Sequence, residues 1–254
     1  MSLLWPEKVV GGLFPGQCWL MCPGIAETRP LSGPDAPASM LAALAGMLDA
    51  QGAQLRKGSK VSLMITDSIG ALVALPWHEQ LTSPDEVDGY AIACFEKQGI
   101  TIDDRWVMHA QFRSYGSMGL AYSLPRDWLN ELVALLEARG LKLARVLPMS
   151  ALAYWEVAKP GAQGTAVVLL REPHRISALV YDRAGLQGLD VESIAANAQV
   201  SGRRLLQRVT AYFPQVASVL DWSATVEEGA KPPAFIAACL PNAAVTAVNR
   251  NAWS

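Results

Sequence analysis

Val9-Val10-Gly11-Gly12-Leu13-Phe14, then Pro15-Gly16, then Gln17-Cys18-Trp19-Leu20-Met21-Cys22 reads as an apolar β-hairpin spanning Lys8 to Cys22. Pro followed by Gly fits the two central positions of a type II turn, where glycine accepts the positive φ. A second apolar hairpin, Thr165 to Gly185, runs Ala166-Val167-Val168-Leu169-Leu170, turns through Arg171-Glu172-Pro173-His174-Arg175 and returns as Ile176-Ser177-Ala178-Leu179-Val180-Tyr181. A turn that grips phosphate needs small residues, so that several N–H groups converge on one anion, and an acid to hold magnesium. Neither turn offers both. In the second, proline removes an N–H, and Arg171 and Glu172 are bulky where the backbone would have to approach closely.

After the first hairpin, a polar, Pro-rich connection from Pro23 to Pro37 leads to a helix whose Leu41, Leu44 and Leu48 recur at helical spacing, with Gly52 placed to end it. Lys60 to Asp67 and Ala71 to Pro76, separated by Ser68-Ile69-Gly70, predict a buried hairpin. Ser83, Pro84 and Glu86 form a capping box ahead of the stripe Val87, Tyr90, Ala91, Cys94 and Phe95. Arg105 to Arg113 alternates as a half-buried strand, Leu120 to Ser123 is a short strand, and a helix opening at Pro125 carries Trp128, Leu132 and Leu136 before Gly140. Lys142 to Leu147 predicts a strand, Pro148 to about Val157 a helix, and Lys159 to Gly164 a linker. Beyond the second hairpin the pattern predicts a strand near Leu186 to Val191, an amphipathic helix from Ser201 to Phe213, and an apolar strand from Ala234 to Leu240 before a poorly specified tail. Strands and helices mixed in this way imply a layered α/β domain, and two runs that each open on a hairpin suggest duplication.

A chain of 254 residues that is 51% hydrophobic can bury a large core. Its 21 Lys and Arg against 23 Asp and Glu create no field to collect nucleic acid or an anionic bilayer. Cys18, Cys22, Cys94 and Cys239 lack Cys-x-x-Cys spacing and read as reduced residues of a cytosolic protein. Cys18 and Cys22 share one face of their strand, but the ligands a metal would need beside them are missing. Val61 to Trp77 is interrupted by Asp67 and Pro76 and falls short of the ~18 to 20 apolar residues of a bilayer span. The N-terminus lacks a basic region followed by an apolar run. A cytoplasmic chain without direct membrane insertion is therefore expected.

The strand ending Leu75-Pro76-Trp77, the capped helix, the strands around Trp106 and Leu120, the helix from Asp127 to Gly140-Leu141-Lys142-Leu143, the strand to Val146-Leu147-Pro148 and the new hairpin together resemble the PilM, MshI and GspL cytoplasmic-domain family. The resemblance covers roughly residues 61–213. It implies a duplicated ribonuclease-H-like (actin/Hsp70-like) fold with mixed sheets flanked by helices. The first half would be 1–158, with an inserted subdomain at about 71–123, and the second, truncated half 165–254. It also implies a non-catalytic scaffold of a type IV pilus or type II secretion-like assembly. Such a scaffold would bind the cytoplasmic peptide or domain of an inner-membrane partner and be held at that membrane through it.

ATP-binding relatives carry Asp-x-Gly and small hydroxylated residues in the second hairpin, where this chain has Leu169-Leu170-Arg171-Glu172-Pro173-His174. No nucleotide-binding, metal-binding or catalytic residue carries over, and no cofactor is expected. The competing reading is an actin-like-fold ATP-binding or phosphotransfer protein with atypical phosphate loops, in which Asp67 or Asp190 falls in the cleft. Trp77, Trp155 and Trp222 sit near element ends, as interface aromatics do, and with His78 they are the candidate partner-binding residues. A homodimer is compatible with the sequence.

Overall fold

The computed structural model describes residues 8–22, 24–31, 36–52, 54–157, 164–194, 197–224 and 231–248. Its first sheet is built from β1 (Lys8–Phe14), β2 (Gln17–Cys22), β3 (Ile25–Pro30), β4 (Lys60–Ile65) and β8 (Lys142–Pro148), in the order β3-β2-β1-β4-β8. A second sheet has the order β11-β10-β9-β12-β13, from β9 (Thr165–Glu172), β10 (Arg175–Asp182), β11 (Gly185–Ser193), β12 (Val216–Ser223) and β13 (Ala244–Val248). Both sheets follow one plan. Three strands meander antiparallel, and two parallel strands are added beside the first. A third sheet, β5-β7-β6, comes from β5 (Ala71–Leu75), β6 (Trp106–Gln111) and β7 (Gly119–Pro125), all lying between β4 and β8 in the chain.

Helices α1 (Pro37–Ala50) and α3 (Arg126–Glu137) cover the outer face of the first sheet, burying Leu44, Met47, Leu132 and Leu136 against Val9, Leu13 and Leu63. Helices α5 (Ala198–Tyr212) and α6 (Ala234–Cys239) do the same for the second, with Leu205, Leu206, Phe235 and Ile236 on Val167, Leu169 and Val219. Gly202 makes the α5–α6 contact possible, because a Cβ there would lie 2.4 Å from the Phe235 ring. The inner faces of the two sheets share a third core: Phe14, Trp19, Met64, Leu147 and Met149 meet Val168, Leu170, Leu179 and Trp222. Helix α2 (Pro84–Lys97) packs Ala91, Cys94 and Phe95 on the third sheet, and its N-terminus carries the full Ser83–Glu86 capping box. The helix predicted from Pro148 is α4 (Met149–Leu152), continued by a π-helical turn, Ala153–Val157.

Several local expectations fail. β4 and β5 do not pair as a hairpin; a 3₁₀ turn, Asp67–Ile69, capped by Thr66, sends them into different sheets. The Pro23 to Pro37 connection contains the edge strand β3, whose Ala26 to Pro30 alternate exposed and half-buried. Ala234–Cys239 is a helix, a short apolar run being ambiguous between strand and buried helix. The expectation also missed β12 and the strand β13 in the tail. The linker predicted at 159–164 lies, except for Gly164, outside the described residues.

Candidate functional site

The two hairpin turns meet the partner sheet at the edge of the shared inner core. The first is the predicted Pro15-Gly16 turn, with Gly16 at φ +80°. The second is tighter than predicted: Glu172 pairs with Arg175, so only Pro173 and His174 lie between the strands, and Arg171 and Glu172 are strand residues. Alternation then decides where Glu172 goes. It shares the face of Val168 and Leu170, so its side chain is carried inward to 6% exposure.

There it meets the end of β4. Glu172 Oε1 accepts from the Asp67 backbone N–H at 3.0 Å, across 105 residues of chain. Asp67, 3% exposed, turns its own carboxylate to the start of α4: Oδ1 accepts from the Ser150 N–H at 2.9 Å, and Oδ2 accepts from the Ser150 hydroxyl. Arg175 donates to the Asp67 carbonyl at 3.5 Å. Glu172 Oε2 has no hydrogen-bond partner among the described residues. Burial, and secondarily the nearby Asp67 charge, push the Glu172 carboxyl up to about 8, so it is held largely as the neutral acid at pH 7. Beside it Arg171 forks onto Asp221, with Nε–Oδ1 at 2.7 Å and Nη2–Oδ2 at 3.0 Å.

The competing reading places Asp67 or Asp190 in the cleft. Asp67 does lie between the sheets, but its carboxylate is engaged by Ser150. Asp190 does not; on β11 it is held by Arg208 of α5 at 2.9 Å. A carboxyl group and a proline occupy the second hairpin where an anion would need converging N–H donors. Among the described residues no cluster of three or more His, Cys, Asp or Glu is arranged to hold a metal ion. Cys18 is buried, with its thiol pushed up to about 11 by that burial, and the half-buried Cys22 packs on the same core face.

The candidate partner-binding residues separate. Trp222 is 1% exposed and belongs to the core between the sheets, so its ring presents no surface. Trp155 is half-buried and packs edge-on against Tyr154 at 5.3 Å. Trp77 and His78 lie at the surface of the third sheet, where Trp77 meets Phe112 at 5.2 Å and Tyr115 at 4.8 Å, and His78 lies 6.2 Å from Tyr90. Tyr115 is 81% exposed. Trp77, Phe112 and Tyr115 line an open groove of about 500 Å³ between His109–Arg113 and the start of α2, where Leu81, Pro84 and Val87 also line it. β6 pairs only with β7 among the described residues, so its other side is a sheet edge. Of the four sequence candidates only Trp77 lines this groove, and neither Phe112, Tyr115 nor the Asp67–Glu172 contact was among the sequence expectations. The parity of Glu172 with Val168 and Leu170 was the available signal for the last.

No protein-family model matches the chain, and no curated protein matches it in sequence. Solved structures do. A chain of the PilM–PilN type IV pilus biogenesis complex superposes with a TM-score of 0.62 at 12% identity, over 96% of this chain and 88% of that one. A Bacteroides thetaiotaomicron protein of actin-like ATPase fold and unknown function gives 0.60 at 8% identity, over 95% and 90%. The cytoplasmic domain of EpsL, an inner-membrane component of the type II secretion system of Vibrio cholerae, gives 0.54 at 10% identity, over 93% and 94%. The chain has the actin-like fold, with mixed α/β sheets flanked by helices.

Proposed function

We propose that this protein is a non-catalytic adaptor of a type IV pilus or type II secretion-like assembly, built from halves 1–158 and 165–254. It binds an extended cytoplasmic segment of an inner-membrane partner at the insertion around 71–123, and works in the cytoplasm against that membrane. The observation that carries this reading is the β6 groove. A strand edge that pairs with no other strand among the described residues offers main-chain hydrogen bonds to an added strand, and the Trp77, Phe112 and Tyr115 rings that line the groove offer an apolar anchor. Two of the similar folds come from a PilM–PilN complex and an inner-membrane secretion component, which supports the choice of partner. No helix of the described residues is long and apolar enough to cross a membrane, in keeping with attachment through a partner. The filled junction at Glu172 supports the non-catalytic half of the reading, since a nucleotide phosphate would have to displace a buried carboxyl.

The test is to titrate synthetic cytoplasmic segments of the pilus or secretion membrane components encoded beside this chain, and to follow amide exchange. A segment that binds should protect the backbone of residues 107–113, and Tyr115→Ala should weaken it at least tenfold, about 1.4 kcal/mol, the scale of an interface anchor. Tyr115 is so exposed that the substitution leaves folding nearly unchanged. Failure of every segment to bind, or binding that protects other residues and ignores Tyr115→Ala, rejects the proposal.

A further inference from the structure

At the far end of β10 from the Pro173-His174 turn, the loop 113–117 closes on the β10–β11 turn around a small pocket of about 70 Å³. The closure is tight. The Met118 N–H donates to the Leu186 carbonyl at 3.0 Å, and Gly185, at φ +120°, would place a Cβ 2.8 Å from Ser117. A water needs roughly 10 to 15 Å³ of such space, so the pocket has room for about five atoms of water size, the dimensions of a tetrahedral oxyanion.

Its wall is cationic and hydroxylated. Arg113 and Arg183 line it with Ser114, Ser117, Tyr154 and Tyr181, and among the described side chains no acid does. Asp182, which precedes Arg183, is turned to its own loop, accepting from the Ala184 N–H at 2.8 Å and from Gln187 at 3.0 Å. Arg113 is fixed in place: Nη1 donates to the Tyr154 carbonyl at 2.8 Å, and the Arg113 backbone N–H donates to the Tyr154 hydroxyl at 2.8 Å. Nε and Nη2 of Arg113 hold no partner among the described residues, which leaves the two-pronged edge that guanidinium presents to oxyanions. Tyr181 is 2% exposed, yet its hydroxyl has no hydrogen-bond partner among the described residues. A buried phenol without a partner is uncommon, and here it lies within the electrostatic reach of Arg113.

We infer that this pocket is an oxyanion site, in which Arg113 supplies the charge and the Tyr181 hydroxyl donates to the bound oxygen. The site is separate from the hairpin junction, and it stands whether or not the β6 groove takes a peptide. Because Arg113 and Ser114 also line that groove, the oxygen can come from free phosphate or from an acidic side chain lying in the groove.

The experiment compares thermal unfolding of the full chain in potassium phosphate, in N-acetylaspartate amide and in potassium chloride at matched ionic strength. At least one oxyanion should raise the midpoint dose-dependently over chloride. A response to phosphate alone assigns free phosphate, and a response to the carboxylate alone assigns a side chain. Tyr181→Phe should fold normally in chloride and raise the half-saturating concentration at least threefold, and Arg113→Gln should abolish the shift. If Arg113→Gln fails to fold because Tyr154 loses its contacts, Tyr181→Phe decides alone. No shift beyond chloride for either oxyanion, or a shift that survives either variant unchanged, overturns the site.

Discussion

Laid on one another by hairpin register, the two main sheets place different chemistry at matching positions. Leu13 pairs in parallel with Ile65 as Arg171 does with Ser223, and two residues earlier Gly11 faces Leu63 as Leu169 faces Asp221. Leu13 and Leu63, both buried under α1 and α3 in the first sheet, therefore correspond to the forked pair Arg171 and Asp221 in the second. Across the hairpins, Gly12 faces Trp19 where Leu170 faces Ser177, a large and a small residue exchanged between strands at similar total volume. The closing pairs are Phe14 with Gln17 and Glu172 with Arg175. Gln17 reaches over to the Ala224 carbonyl of the second sheet at 3.3 Å, while Arg175 reaches back to the Asp67 carbonyl at the end of β4. What the duplication preserves is backbone plan and packed volume. The side chains that fill the plan are free to be apolar in one copy and ionised in the other.

The comparison can be broken most forcefully at Trp19. Its ring lies on Gly12 so closely that a Cβ there would sit 2.1 Å from the indole nitrogen, and it is 1% exposed. Trp19→Ser alone, which installs the residue of the second hairpin, should cost about 3 to 5 kcal/mol, the loss for emptying a large core side chain. Adding Gly12→Leu, which completes the exchange, should recover part of that, and denaturant midpoints with unchanged slopes would show it. A double variant no more stable than the single would mean that the sheets are not interchangeable at this pair. The next effect concerns the ion pair. Asp221→Leu leaves the Arg171 guanidinium buried without its partner, but Arg171 is still 24% exposed, so the cost should be about 1 to 3 kcal/mol rather than the full penalty of a sealed charge. Arg171→Leu with Asp221→Leu recreates the first sheet's pair and should return stability to within about 1 kcal/mol of the parent. A double variant as damaged as the single would show that the fork does more than fill space.

These correspondences also explain what could be read from the sequence. Signals confined to a few neighbouring residues survived: Pro15-Gly16 as a turn, Ser83 with Glu86 as a cap, and the Trp128, Leu132 and Leu136 stripe of α3. Signals that depend on distant partners did not. β12 carries Asp221 at a buried position next to the buried Trp222, tolerable because Arg171, 50 residues away, reaches it. β4 and β5 look like a hairpin because both are apolar and close in sequence, yet Gly70 brings the chain so near the Ser123 carbonyl of β7 that β5 joins the third sheet. For the candidate sites, Trp77 and His78 were visible as an aromatic phrase at a strand end. The approach of Glu172 to Asp67 was not, because it needs both sheets in place.

Glu172 supplies the subtlest test of the comparison, since its counterpart Phe14 is fully buried and cannot titrate. The Glu172 carboxyl is raised from 4.5 to about 8 in the folded chain, first by burial and then by Asp67. Between those values the folded protein holds a proton that the unfolded chain releases. Its contribution to stability is therefore fully present below about pH 4.5 and is lost as pH rises toward 8, with a slope of at most about 1.4 kcal/mol per pH unit for one proton. Most buried carboxylates that accept salt bridges give the opposite slope, so the sign is diagnostic. Glu172→Gln keeps an oxygen to accept from the Asp67 N–H but removes the titration, and should flatten unfolding free energy against pH across that window. If the parent and Glu172→Gln curves run parallel from pH 5 to 8, the carboxyl is not held neutral, and the second hairpin is less sealed than the first.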